Sequence, residues 1–228
     1  VDFLCISARG RSPVLFRGDK QGRFDEPGTT IAPVSFQNPS VLTAGDIDGD
    51  GDLDCWLTQY RPPYLGGQMP TPYYDANDGR PSYLLLNEGD GRFREATSER
   101  GLDARRNRRT YSASFVDLDE DNDLDLMVVS DFAGVDLYRN DGKGFFTDVR
   151  DDWVEEWHNF GMAHTFGDYN RDGRLDFYVI GMSSTTARRL SSMGLHREEF
   201  REYSEKRPVM GYGNRMYLAG PVSYTHLR

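Results

Sequence analysis

Three short apolar stretches stand out along the chain, because each follows directly on a segment of alternating acidic residues. They are residues 55–57, 126–129 and 177–180. Short runs rich in β-branched and aromatic residues, bounded by turn-forming residues, are typical of buried β-strands. The pattern therefore predicts a strand immediately after each acidic segment.

A strand–turn–strand pattern lies beside these stretches. In residues 137–146 the sequence Asn140-Asp141-Gly142 separates two apolar runs, and these residue types supply the positive φ angles of a hairpin turn. Residues 84–93 and 14–24 have the same arrangement. The chain is therefore predicted to repeat one strand-rich unit.

The spacing of the repeat predicts the fold class. The acidic segments begin at Asp46, Asp117 and Asp168, which are 71 and then 51 residues apart. Four strands of a propeller blade need about 45–50 residues. We therefore predict an all-β protein built from consecutive four-stranded blades of a β-propeller. The surplus lies in two insertions, a loop rich in Pro, Gly and Tyr at 61–82 and a partly helical segment at 184–207.

The repeat divides the chain into a partial propeller at 1–219 and a short tail. Asp2 aligns with the last acidic residue of a segment, so the chain is expected to begin inside a repeat. Residues 220–228 match nothing in the repeat and are predicted to be a non-native tail outside the fold. The predicted units are a blade remnant at 1–40, blades at 41–107 and 108–158, and a blade at 159–219 that contains the second insertion.

The net charge of −10 is concentrated in the acidic segments. Residues 46–54, 117–125 and 168–176 hold 14 of the 37 acidic residues. Such packing costs Coulombic repulsion unless a cation neutralises it. The negative charge argues against a nucleic-acid partner. No apolar run approaches the roughly 18 residues that would predict membrane insertion.

The acidic segments are predicted to be three calcium-binding loops. Oxygen-bearing side chains recur at loop positions 1, 3, 5 and 9, and position 7 can add its backbone carbonyl, so each loop presents hard oxygen ligands to one Ca²⁺. Loop 1 offers Asp46, Asp48, Asp50 and Asp54 with the Asp52 carbonyl; loop 2 offers Asp117, Asp119, Asp121 and Asp125 with the Asp123 carbonyl; loop 3 offers Asp168, Asn170, Asp172 and Asp176 with the Arg174 carbonyl.

Two further loop positions predict the backbone conformation of the loop and its packing against the core. Position 6 must tolerate the left-handed region, and it is Gly51, Asn122 and Gly173. Position 8 is leucine in all three loops, which predicts that this side chain is anchored in the core.

Other metal sites fit the pattern less well. An EF-hand needs a bidentate Glu at position 12 and a following helix, whereas position 12 here is Leu57, Val128 and Val179 inside predicted strands. Magnesium prefers to keep several waters, and zinc or iron sites would use His or Cys, which the loops lack. Calcium therefore remains the predicted cofactor, at about three sites.

The loops resemble those of FG-GAP/VCBS repeats, the calcium-binding repeats of β-propellers. A closer resemblance to the ASPIC/UnbV, or cartilage-acidic-protein-like, group is carried by residues 137–142, 146–149 and 166–173. The resemblance implies that this chain is about half of a seven-bladed propeller, whose remaining blades would be its partners in the full-length protein. Extracellular or periplasmic calcium suits the millimolar affinity expected of such sites.

No catalytic residues are predicted, because the chain has no HExxH, Gly-x-Ser-x-Gly or phosphate-loop motif. The leading hypothesis is a structural and interaction module that contacts protein or glycan through the two insertions. The alternative is a non-catalytic accessory propeller of a secreted enzyme that acts on glycans or other extracellular substrates. The arginine cluster at 105–109 is expected to be a solvated loop, and whether Cys5 and Cys55 pair is left open.

Overall fold

The computed structural model describes residues 2–6, 10–67, 69–89, 91–195, 198–220 and 223–227, which form four antiparallel sheets. In each sheet, consecutive strands pair as a meander. Sheet 1 contains β1 (Phe3–Cys5), β2 (Val14–Phe16) and β3 (Thr29–Thr30). Sheet 2 contains β4 (Pro39–Gly45), β5 (Asp54–Gln59), β6 (Tyr83–Asn87) and β7 (Phe93–Glu95). Sheet 3 contains β8 (Arg109–Val116), β9 (Asp125–Asp131), β10 (Gly134–Asn140) and β11 (Phe146–Asp148). Sheet 4 contains β12 (Gly161–Gly167), β13 (Asp176–Gly181), β14 (Arg215–Ala219) and β15 (Tyr224–Leu227).

The sheets pack face to face through their apolar side chains. Trp56 and Leu84 of sheet 2 pack with Leu126 and Val128 of sheet 3 in one buried cluster. The opposite face of β9 packs against sheet 4, and every residue of β9 is buried. A strand covered on both faces reads as a continuous apolar run, which explains residues 126–129. The predicted succession of four-stranded antiparallel blades is therefore confirmed, without a closed ring among the described residues.

The two insertions meet on one side of the molecule. Each insertion joins the second and third strands of its sheet, whereas each acidic loop joins the first and second. The insertions therefore lie at the opposite ends of the strands from the acidic loops. The described residues of 61–82 are irregular apart from one 3₁₀ turn (Leu65–Gly67). The second insertion forms α2 (Thr185–Ser192), a 3₁₀ turn (Glu198–Phe200) and α3 (Arg201–Met210). A four-residue helix, α1 (Arg150–Trp153), follows β11. The predictions of a loop and of a partly helical segment are both confirmed.

The structure differs from the sequence-based expectation for residues 220–228. Tyr224–Leu227 form β15, which pairs with β14 and supplies the fourth strand of sheet 4. Tyr224 is buried in the cluster between sheets 3 and 4. The expectation that this segment lies outside the fold is wrong for these four residues. Their sequence does not match the repeat pattern, yet they occupy the position of the fourth strand.

The expectation of a solvated arginine loop is also wrong. Arg108 is 2 % exposed, and its guanidinium donates from Nε to Asp136 at 2.8 Å and from Nη2 to Asp75 at 2.6 Å. Arg109 makes two bonds of 2.8 Å to Asp78. Two of the three acidic partners come from the first insertion, which folds back over the start of β8. Buried arginines are stable only when they are paired in this way.

Cys5 and Cys55 are both free thiols. Cys55 packs in the apolar cluster between sheets 1 and 2. Burial raises the pKa of the Cys55 thiol to about 12. The thiol is therefore neutral, and the side chain packs as a small hydrophobic residue.

Candidate cation-binding loops

Each acidic loop connects the first strand of a sheet to the second. The residue before position 1 pairs across the strands with position 9, as Gly45 with Asp54, Val116 with Asp125, and Gly167 with Asp176. This register closes each loop at its base. The first and last predicted ligands are thereby brought to the same end of the hairpin.

The loop backbone curls around the carboxylate at position 1. Asp46 Oδ2 accepts the Gly51 N–H at 3.0 Å, and Asp168 Oδ2 accepts the Gly173 N–H at 3.0 Å. The corresponding bond in loop 2, from the Asn122 N–H, is 3.1 Å long. The position-5 carboxylate in turn accepts the N–H of position 7 in all three loops. The acidic side chains therefore organise the backbone as well as offering oxygen ligands.

The predicted left-handed conformation at position 6 is confirmed, with φ of 90° at Gly51, 72° at Asn122 and 88° at Gly173. Position 4 is left-handed too, which was not predicted. Glu120 has φ of 63° and Arg171 has φ of 65°. Only the glycine at position 4 of loop 1 could have indicated this, because Glu and Arg carry no preference for positive φ.

The aspartate at position 9 anchors its loop to the rest of the sheet. Asp54, Asp125 and Asp176 are 1 %, 0 % and 0 % exposed. In each, Oδ2 accepts the N–H of position 2, and Oδ1 accepts a backbone N–H at the end of the third strand. A carboxylate oxygen has a second lone pair, so these bonds leave coordination to a cation available.

Asp2 takes the equivalent place in sheet 1. Its Oδ1 accepts the N–H of Gly18, just after β2, at 3.1 Å, and this bond corresponds to the one that each position-9 residue accepts from the end of its third strand. The alignment of Asp2 with position 9 is confirmed by this bond, while its role as a ligand stays a prediction.

Burial and mutual repulsion act on the acidic groups in the loops. Burial raises the pKa of Asp125 to about 7 and that of Asp54 to about 6, and the neighbouring carboxylates at positions 3 and 5 add to both shifts. The pKa values of Asp48 and Asp119 are raised for the same two reasons, burial first. A divalent cation would relieve this repulsion, because it favours the charged form of every carboxylate around it.

Carboxylates converge in the first two loops. One oxygen each of Asp46, Asp48 and Asp50 lies within 4.8 Å of the others, and so do oxygens of Asp117, Asp119 and Asp125. Asp48 Oδ1 and Asp117 Oδ1 are buried atoms without a hydrogen-bond partner. Two clusters of hard oxygens, each with one unpartnered buried atom, fit Ca²⁺, which takes six to eight oxygen ligands.

Loop 3 is less converged. Asn170 donates from Nδ2 to Asp172 Oδ2 at 3.0 Å, and Arg174 lies 3.7 Å from the same carboxylate. Position 3 of this loop is the amide Asn170, and the described part of the chain shows no third cluster of three acidic groups. The carbonyl contributions of Asp52, Asp123 and Arg174 stay predictions.

The prediction that every position-8 leucine is anchored in the core is wrong for loop 1. Leu124 packs against sheet 2 beside Gly45, and Leu175 is half-buried, but Leu53 is 59 % exposed. Leu124 packs on the first strand of the preceding sheet, at Gly45 of β4. Among the described residues, sheet 1 has no strand equivalent to β4, so Leu53 has no such neighbour.

A serine–histidine contact escaped the sequence analysis. Ser114 Oγ and His164 Nε2 are 2.8 Å apart on the neighbouring strands β8 and β12. His164 Nδ1 is buried without a partner, and burial lowers the pKa of the ring to about 4. A general base needs a pKa near the working pH and an orienting group, so this pair has the features of packing and not of catalysis.

A model of the FG-GAP-like repeat matches the chain three times, at residues 1–57, 74–128 and 117–179. The three matches end at Leu57, Val128 and Val179, which are position 12 of loops 1, 2 and 3. This chain belongs to the FG-GAP-like repeat family. The FG-GAP-like matches cover more than half of the residues, and they place the three loops at one equivalent point of the repeat.

The closer relationship to the ASPIC/UnbV group stays a prediction, since the matched model is that of the general FG-GAP-like repeat. No curated protein matches the chain. No described helix combines the length and apolar character needed to cross a membrane.

Proposed function

We propose that this FG-GAP-like chain is a calcium-binding propeller module of the cell exterior or periplasm, in which calcium stiffens the blades and the insertions contact a protein or glycan. The observation that carries the proposal is the convergence of carboxylates in loops 1 and 2, which leaves Asp48 Oδ1 and Asp117 Oδ1 without partners.

The residues that would hold calcium are those of positions 1, 3, 5 and 9. Calcium supplies two positive charges and accepts several oxygen ligands. The chain's own contribution is to hold those oxygens close before binding, through the loop N–H groups and the left-handed residues at positions 4 and 6. Preorganisation of this kind lowers the entropy that binding must otherwise overcome.

A stiffening role is supported by the position-9 aspartates. Each accepts one N–H from its own loop and one from the end of the third strand. A cation held at position 9 therefore fixes the relation between the loop and the hairpin that follows. Among the described residues, no pair combines a nucleophile with an activated base. We therefore propose a module without catalytic activity of its own.

The first test is a thermal melt with a chelator and with about 5 mM calcium, because extracellular sites bind at about 10⁻⁴–10⁻³ M. Calcium that binds only the folded state stabilises it by RT ln(1 + [Ca]/Kd), which is about 1–2 kcal/mol for each site under these conditions. We expect the melting temperature to rise with calcium and much less with magnesium. An unchanged melting temperature would refute the proposal.

A matched set of variants assigns the effect to the loops. Asp50→Asn, Asp121→Asn and Asp172→Asn each remove one charge but keep the oxygen that accepts the position-7 N–H. Each variant should lower the calcium-dependent rise without lowering the melting temperature in chelator, because the loss of one carboxylate charge relieves repulsion when no cation is bound. Asp25→Asn, far from the loops in sequence, is the control and should leave the rise intact.

The accessory alternative differs in what accompanies the repeats. A catalytic domain in the same full-length reading frame would favour an accessory propeller of a secreted enzyme, and its absence would favour the interaction module. Binding to a glycan array, compared between the chain and a Tyr64→Ala, Met69→Ala double variant, tests the proposed contact surface, because both side chains are exposed and the partners of Arg108 and Arg109 are kept. Equal glycan binding by both would contradict a role for the first insertion.

A further inference from the structure

Asn140 joins two of the acidic loops. Its N–H donates to Asp125 Oδ1 of loop 2 at 2.9 Å, and its side-chain Nδ2 donates to the Ile47 carbonyl of loop 1 at 2.7 Å. Nδ2 also lies 3.2 Å from the Leu124 carbonyl, while Oδ1 accepts the Gly144 N–H at 3.0 Å. Asn140 is 2 % exposed, so water does not compete for these bonds.

The bridge continues into the ligands of loop 1. Ile47 donates its own N–H to Asp54 Oδ2 at 3.3 Å. A buried path of hydrogen bonds therefore runs from Asp54 through Ile47 and Asn140 to Asp125. Both ends of this path are the position-9 carboxylates of neighbouring loops.

The interface between sheets 3 and 4 repeats the bridge with a different side chain. The Tyr224 hydroxyl lies 3.0 Å from the Leu118 carbonyl of loop 2 and 3.1 Å from the Leu175 carbonyl of loop 3. These carbonyls occupy positions 2 and 8, as Ile47 and Leu124 do at the other interface. Ala219 stands where Asn140 would be and has no amide, so the hydroxyl of the next strand bridges the same two positions.

The geometry points to Asn140 as a coupling residue, through which calcium bound at loop 1 raises the calcium affinity of loop 2, and calcium bound at loop 2 raises that of loop 1. This inference rests on the proposed calcium binding. A cation at loop 1 orders Asp54 and Ile47, which fixes the carbonyl that orients Asn140 and so holds Asp125 in place. The loop that binds calcium first orders the shared bridge, so the second loop binds without that loss of conformational entropy. The coupling must therefore be equal in both directions.

The coupling is measured site by site with the position-6 amides of loops 1 and 2. The N–H of Gly51 and that of Asn122 donate to the position-1 carboxylates of their loops, so their amide NMR signals report each loop separately. Calcium is titrated into the wild type, into Asp50→Asn and into Asp121→Asn. We expect Asp50→Asn to weaken calcium binding at loop 2 by about fivefold or more, and Asp121→Asn to weaken loop 1 by the same factor.

The role of Asn140 is then tested in the same design. In an Asn140→Ala background, Asp50→Asn should change the loop 2 affinity by less than about twofold. Asn140→Asp is the second variant, because it keeps the Oδ1 acceptor for Gly144 and loses the Nδ2 donor. Asn87→Ala is the matched control: this residue occupies the same place in sheet 2, and its Nδ2 bonds only the Leu53 carbonyl of its own loop among the described contacts.

The outcomes separate the inference from the proposed function. Absence of calcium binding at every loop of the wild type would refute the proposed function. Binding at both loops with independent affinities would overturn the coupling and leave calcium binding intact. Coupling that persists in both Asn140 variants would overturn the role of Asn140. If neither Asn140 variant folds, proteins that keep Asn140 decide: solvent exchange of the Asn140 side-chain amide protons must slow when calcium is added to Asp50→Asn or to Asp121→Asn, and unchanged exchange would overturn the inference.

Discussion

At the residue scale, Gly134 shows how one backbone conformation controls the packing of its sheet. It has φ of 104°, and a Cβ atom there would lie 1.9 Å from the Trp157 carbonyl oxygen and 2.7 Å from the Asn159 nitrogen. Both contacts are with backbone atoms, which cannot move aside as a flexible side chain can. The glycine therefore permits the segment before β12 to pass close over the turn between β9 and β10.

Gly134→Ala should destabilise the protein by about 3 kcal/mol or more, the sum of positive-φ strain and overpacking. Gly22→Ala is the control, since φ there is 75° but no atom lies within 4 Å of the added Cβ. It should cost only about 1 kcal/mol from strain. Urea unfolding of both variants measures the difference, and equal losses would show that the close backbone approach is unimportant.

His164 gives the protein a defined acid sensitivity. Burial lowers the pKa of its ring to about 4 in the folded state, whereas the unfolded chain takes up a proton near the ordinary value of 6.5. As the pH falls from 6.5 towards 4, the unfolded state binds the proton first, so the stability falls across this window and this contribution levels off below it.

His164→Gln should remove that contribution while an amide keeps a polar partner for Ser114. We expect the wild type to lose about 2 kcal/mol more than the variant between pH 7 and pH 4, in urea unfolding with a chelator present. The comparison between the two proteins cancels the titration of the loop carboxylates. Parallel pH profiles would contradict the assignment.

At the scale of elements, the sequence predicts what is repeated and fails where one repeat departs from the others. The loops, the strands after them and the hairpins follow from local patterns, because position 6 and the Asn-Asp-Gly turn have local conformational reasons. The burial of Tyr224 and of Arg108 does not, because the groups to which their side chains hydrogen-bond lie 28 or more residues away in the sequence. The inward Leu124 and the outward Leu53 share one motif and differ only in whether a neighbouring strand is present.

A buried network of arginines and aspartates below the first insertion is expected to hold that insertion in place. Asp136 is 1 % exposed and accepts bonds from Arg108 at 2.8 Å and from Arg150 at 3.1 Å. Asp136→Asn leaves two buried guanidinium groups short of a counter-charge, which should cost about 3–5 kcal/mol. Asp103→Asn is the control, because the exposed pair with Arg106 contributes at most about 1 kcal/mol.

Limited proteolysis reports the same change locally. Because Arg108 holds Asp75 and the Ala76 carbonyl, Asp136→Asn should make residues 61–82 more rapidly cleaved than in the wild type. Asp103→Asn should leave the cleavage rate unchanged. Cleavage at the wild-type rate in both variants would mean that the network does not hold the first insertion.

At the scale of the whole molecule, apolar side chains are exposed on two faces that lack a complete neighbouring sheet: the face of sheet 2 towards the three-stranded sheet 1, and the outer face of sheet 4. Leu42 of β4 is 39 % exposed, and Ile180 of β13 is 43 % exposed. Trp56 and Met127, on the faces of sheets 2 and 3 that correspond to the face of Ile180 in sheet 4, are 3 % and 0 % exposed. Exposed sheet faces of this kind favour association.

We expect this chain to self-associate at micromolar concentration and a Leu42→Lys, Ile180→Lys double variant to sediment as a monomer. Met193→Lys, which changes a side chain 50 % exposed on the second insertion, is the control and should associate like the wild type. Sedimentation velocity distinguishes the species. A wild type that stays monodisperse and melts cooperatively as a monomer would contradict the expectation.

The reach of the position-9 aspartates has a consequence for synthesis of the chain on the ribosome. The strand-end N–H that each one accepts comes 33 residues later for Asp54, 15 for Asp125 and 43 for Asp176. Translation at about 5–20 residues per second makes these intervals seconds long. Loop 2, whose hairpin has no insertion, is completed soonest, while each insertion prolongs the time for which its neighbouring acidic loop emerges without its anchor.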